Sequence, residues 1–153
     1  MGKRILWRMP DGKIAVTTPC APVLENESEE EYLDRIAQKL IDDGVATAWT
    51  RLPNCQCTEI PEDREYRNSW DHDGQKIIHN MGVAREIHMT NIRSQRNAQL
   101  EKIDVEVRKA YGDGERIAQL EAEAQRLRDI PQTIRPQLNA ATTIEELREV
   151  KPL

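Results

Sequence analysis

Residues 100–127 read LEKIDVEVRKAYGDGERIAQLEAEAQRL, and this stretch decides the fold. Leu100, Ile103, Val107 and Ala110 recur at intervals of three, four and three. Beyond Gly112-Asp113-Gly114, the residues Ile117, Leu120, Ala124 and Leu127 repeat those intervals. Apolar residues so spaced line one narrow face of a helix, as in the seam of a coiled coil. A Gly-Asp-Gly turn between two such faces predicts an antiparallel helical hairpin, residues 81–111 against 115–130. Within it Leu100, Ile103 and Val107 should face Ile117, Leu120 and Ala124. Pro131 is expected to end the second helix, because proline disfavours helical geometry in the residue before it. Further on, Thr143 and Glu146 make a capping-box pair for a last short helix carrying Ile144, Leu147 and Val150.

Upstream, the pattern changes. Ile5-Leu6-Trp7 and Ile14-Ala15-Val16-Thr17-Thr18 are β-prone runs on either side of Met9-Pro10-Asp11-Gly12, which has the chemistry of a tight turn. Ser28 with Glu31 is a second capping box; it opens a helix whose stripe is Tyr32, Leu33, Ile36, Leu40 and Ile41 and which Gly44 closes. A third strand is expected over residues 45–52, irregular chain over 53–61 and a short linker or helical turn over 64–70. Asp71-His72-Asp73-Gly74 reads as a turn before a short strand, Gln75 to His79. The class is therefore α+β. A small N-terminal β-hairpin/α unit (1–79) precedes a long antiparallel helical hairpin with a short C-terminal helix (80–153).

Composition narrows the function. Aromatics make up 4% of the 153 residues and Phe is absent, so a large compact core is not expected and neither is an enzyme. Narrow seams of four apolar residues rarely hold a hairpin alone. It should bury itself on the N-terminal unit, on a second copy in a homo-oligomer, or on a partner protein. The net charge is −5, and residues 24–43 hold eight acids against two bases. The acidity is local, and nucleic acid is not an expected partner. No apolar run approaches the roughly 18 residues of a membrane span, nor does an apolar h-region follow the opening charges. Three cysteines, an odd number, fit a reducing cytoplasm better than a disulfide scaffold.

Signals for chemistry are weak. Cys55-x-Cys57 with His72 and His79 lacks the spacing of a structural zinc site, and free cysteines in a loop are the plainer reading. Asp71-x-Asp73-Gly74 opens like a calcium loop but has Gln75 where the next ligand belongs, so it reads as a turn. No cofactor is expected. Arg85, Arg93 and Arg96 on the first long helix give a DNA-binding regulator as an alternative, with a solvated face carrying intrahelical ion pairs as the plainer account.

Asn91-Ile92-Arg93-Ser94-Gln95-Arg96-Asn97-Ala98-Gln99-Leu100, Asp104, and Gln125-Arg126-Leu127-Arg128-Asp129-Ile130-Pro131 resemble phage tail assembly chaperone-like proteins. In these an R-x-x-R-N-x-x-L helix pairs with a segment ending in L-R-D-I-P. Trp7-Arg8-Met9-Pro10-Asp11-Gly12 and residues 63–70 look like prophage proteins that share this hairpin. The resemblance implies a non-enzymatic morphogenesis protein that binds a phage tail or tail-fibre protein in the host cytoplasm. The alternative it leaves is a structural virion component, a tail-tip or head–tail adaptor. The residues expected to carry this role are Arg93, Arg96, Leu100, Ile103, Val107, Ile117, Leu120, Ala124, Leu127 and Asp129. Asp129 would bridge to Arg93 or Arg96 and clasp the hairpin.

Overall fold

The structure, a computed structural model that describes residues 2–152, is α+β and divides into two units, Met1–Asn80 and Met81–Leu153. In the first, Ile5, Leu6 and Trp7 are consecutive and all wholly buried. Neighbouring strand residues point to opposite faces, so this is possible only where both faces of a sheet are covered. They belong to β1 (Lys3–Arg8), the middle strand of a sheet ordered β2-β1-β3, with β2 at Ile14–Thr17 and β3 at Thr50–Gln56. Both pairings are antiparallel. The β1–β2 turn is closed by Met9 N–H donating to the Lys13 carbonyl, with Gly12 in the left-handed region at φ +83°.

One face carries α1 (Glu29–Asp42), whose Tyr32, Leu33, Ile36 and Ala37 pack with Ile5, Trp7 and Ala46. On the other, Leu6 meets Ile14, Cys55, Trp70 and Ile77. Trp70 and Ile77 come from a small antiparallel pair, β4 (Trp70–His72) and β5 (Ile77–His79). Burial of each large side chain contributes about 1.5–3 kcal/mol, and three in a row make β1 the strand on which this unit depends.

Two strands differ from those expected of the sequence. The third strand is not 45–52 but Thr50–Gln56, and it runs through Pro53. Proline is tolerated because β3 is an edge strand and its register to β1 shifts between Arg4 and Leu6, a bulge that removes the need for a ladder N–H at that point. Trp70–His72, read as linker and turn, is a strand paired residue for residue with Ile77–His79.

Both halves of the Ser28–Glu31 capping box form. The acidic start of α1 is also tied to the sheet. Glu29 accepts from the backbone N–H groups of Gly2 and Lys3, Glu30 pairs with Lys3 and accepts from Asn54, and Asp34 pairs with Arg51. Ahead of the helix, Glu27 is gripped through both oxygens by Arg35, at 2.6 and 2.8 Å. That guanidinium holds Glu27 at about 2, against an ordinary 4.5. A carboxylate whose folded value is depressed stabilises fully above its unfolded value and loses that contribution as pH falls through the folded one. Thermal melts of the native chain should therefore fall between pH of about 4.5 and about 2. Glu27→Gln should melt lower near neutrality and lose less across that window; parallel pH profiles would show that the pair does not form.

In the second unit, α2 spans Met81–Lys109, α3 Gly114–Ala140 and α4 Ile144–Glu149. Gly112, at φ +92°, makes the turn, and Asp113 caps α3 by accepting from Arg116 N–H at 3.0 Å. Pro131 does not end α3, which continues through it and Pro136 for another turn and more. An internal proline costs about 3 kcal/mol. The apolar intervals nevertheless persist beyond it to Ile134 and Leu138, both buried, and their burial offsets that cost. Thr143 caps α4, as expected from the sequence.

Candidate functional site

The helical hairpin has two regions of different make-up. At its base α4 returns against α2, and three polar contacts fix the arrangement. Arg85 donates to the Ala141 carbonyl at 2.8 Å, a His88 ring nitrogen lies 2.8 Å from the Val150 carbonyl, and Arg135 pairs with Glu86. Ala84, Met89, Ile92, Ile134, Leu138, Ile144, Leu147 and Val150 are buried in this unit. Toward the turn, among the described residues of this unit, α2 and α3 pack on each other. There Ile103, Leu120 and Ala124 form a small buried cluster, with Leu100, Val107, Ala110 and Leu127 half-covered around it. Tyr111 stands at the turn, 95% exposed.

The expected seam is therefore largely present, with two exceptions. Ile117 is half-buried and lies outside the cluster, one turn nearer the loop than Leu120. The clasp does not form. Asp129 accepts from Gln125 on its own helix at 2.9 Å, and Arg96 donates to Asn97. Arg93 and Asp129 are both exposed, each one position round the helix from or two past a seam residue (Ile92, Leu127), which turns their side chains away from the facing helix. Among the described residues no ion pair joins Asp129 to either arginine. Sequence reading missed the base of the hairpin, although the intervals from Leu127 to Pro131, Ile134, Leu138 and Ala141 continue the same pattern.

Of the side chains suited to metal or nucleophilic chemistry, Ser69, His72 and His79 lie within hydrogen-bond distance of one another or of backbone groups, and the three cysteines are free thiols. Cys55 is buried under the sheet and burial raises its thiol above 9.0, while Cys20 and Cys57 are exposed. A thiol-reactive dye should label Cys20 and Cys57 quickly in the native chain and Cys55 only on unfolding. Rapid labelling of all three would show that β3 is not seated as described. His72 accepts from the Gly74 N–H through Nδ1. Ser69 donates to the Tyr66 carbonyl and lies 3.0 Å from His79 Nδ1, a buried brace between the turn before β4 and the end of β5. Among the described residues no three of His, Cys, Asp and Glu converge to hold a metal, and no helix is long and apolar enough to cross a membrane.

In comparisons with known proteins, the chain matches no family model, no curated protein and no solved structure.

Proposed function

We propose that this chain is a non-enzymatic phage morphogenesis protein, acting in tail or tail-fibre assembly by binding a partner's amphipathic helix with the two-helix end of its hairpin. The observation that carries this reading is the contrast between the hairpin's two regions. At the base a third helix lies against α2, whereas near the turn Leu100, Val107, Ile117 and Leu127 are left half-covered. A helix laid along that seam would complete the layer as α4 does at the base, through anchors three and four residues apart. The partner class comes from the likeness of residues 91–131 to tail assembly chaperone-like proteins. With 29 residues, α2 is about 43 Å long, enough to hold the turn well clear of the base.

Co-expression with neighbouring phage tail and fibre proteins tests this reading. The native chain should co-purify with one of them. The double variant Tyr111→Ser, Ile117→Gln should melt within about 0.5 kcal/mol of native, since neither side chain belongs to the buried cluster, and should lose the partner. Unchanged co-purification by that variant would sink the proposed surface. Stoichiometric presence in purified virions would make the protein a virion component rather than a transient chaperone.

A further inference from the structure

The sheet of the first unit ends in a bare strand edge. In the β1–β2 ladder Met9 N–H donates to the Lys13 carbonyl, so bonded pairs fall at Met9/Lys13 and, two residues apart, at Trp7/Ala15 and Ile5/Thr17. Ile14 and Val16, between them, direct their N–H and C=O groups away from β1. Among the described residues no strand is hydrogen-bonded to that side, although β4 packs close to β2.

An open cleft of about 550 Å³ runs along this edge. One wall is apolar, made of Leu40, Val45 and Trp49, with Val45 53% exposed. The other is lined by Arg67 and Asn68, the Arg67 guanidinium lying 5.9 Å from the centre of the Trp70 ring, and Lys13 stands at the end of the strand. The lining contains two cations and no carboxylate, although Lys13 also pairs with Asp11 at 3.0 Å.

We infer that the outer edge of β2 is a strand-addition site for an extended segment of a partner protein in which apolar and acidic residues alternate. Successive side chains of an added strand point to opposite faces. One set would meet Leu40, Val45 and Trp49, and the alternate set Arg67 and Lys13. Backbone bonds to Ile14 and Val16 supply the affinity, and the two walls supply the selection. This site lies wholly within the first unit and does not depend on the hairpin reading.

The test is fluorescence anisotropy of labelled synthetic peptides on the full chain at low salt. A peptide alternating valine and glutamate should bind, and its lysine counterpart should bind more than about tenfold more weakly. Methylating its edge-facing backbone nitrogens should abolish binding. Val16→Pro removes an outward N–H while leaving the inward bonds of Ala15 and Thr17, so it should fold and fail to bind. Arg67→Glu, on the exposed wall, should weaken the acidic peptide and favour the lysine one; this variant and the methylated peptide decide the matter should Val16→Pro unfold. Equal binding of the acidic and lysine peptides, indifference to methylation, or no binding by any peptide would overturn the inference. So would a concentration-dependent dimer in sedimentation that Val16→Pro abolishes, since a second copy would then occupy the edge.

Discussion

Leu120→Asp should cost the hairpin at least about 3–5 kcal/mol and remove most of its cooperative helical melt. Leu120 is 3% exposed, at the centre of a cluster that otherwise consists only of Ile103, Ala124 and their apolar margins. Truncating a buried leucine already costs about 2–5 kcal/mol, and a carboxylate set among Ile103 and Ala124 adds its desolvation. A typical domain has only about 5–15 kcal/mol in hand. Circular dichroism on melting checks this, with Tyr111→Ser, at a 95% exposed position, as the near-neutral control. If the two variants melt alike, α2 and α3 do not meet through Leu120, and a binding surface built on their seam loses its foundation.

Trp7→Ala should be as damaging to the first unit, at about 3–5 kcal/mol. Trp7 is fully buried in the middle strand, donates from its indole nitrogen to Thr17 at 3.1 Å, and stacks edge-on with Trp49 at 6.2 Å. The substitution removes packing toward α1, a cross-strand bond and an aromatic contact together. Trp7→Phe keeps a ring in the gap and should cost clearly less. Urea titration followed by the fluorescence of Trp49 and Trp70 reads both. An unchanged midpoint for Trp7→Ala would mean that β1 is not the covered centre of the sheet.

Local chemistry was legible in the sequence wherever a short-range interaction dictates the outcome. The Ser28–Glu31 box, the Thr143 cap, the turn at Gly12 and the turn at Gly112 each follow from a few neighbouring residues. What escaped is what distant residues impose. Thr50–Gln56 has little β character of its own and becomes a strand because β1 offers it a ladder; Trp70–His72 does so because Ile77–His79 lies opposite. Pro131 stops a helix in isolation, yet buried Ile134 and Leu138 carry α3 past it. The seam was visible as a period, but its ending at Ile117 and the absence of the Asp129 clasp depend on which way each side chain turns. The bare β2 edge left no sequence signal, since its meaning comes from what fails to pair with it.

The burial of Ile5, Leu6 and Trp7 on both faces also sets a timetable for the nascent chain. Their strand partner β3 is made about forty residues after them, and β5 later still. At roughly 5–20 residues per second the ribosome needs about 2–8 s to supply it. Until then this deeply buried strand has β2 on one edge, a hairpin marginal in water, and α1 on one face once residues 29–42 are made. Its other edge and the Leu6 face stay uncovered. The turn end of the helical hairpin waits less, since Ile103 packs with Leu120 just across the turn. Its base waits longer, Arg85 meeting Ala141 across 56 positions. Within the first unit, the face of β1 at Leu6 is thus the one covered last, when Trp70 and Ile77 arrive.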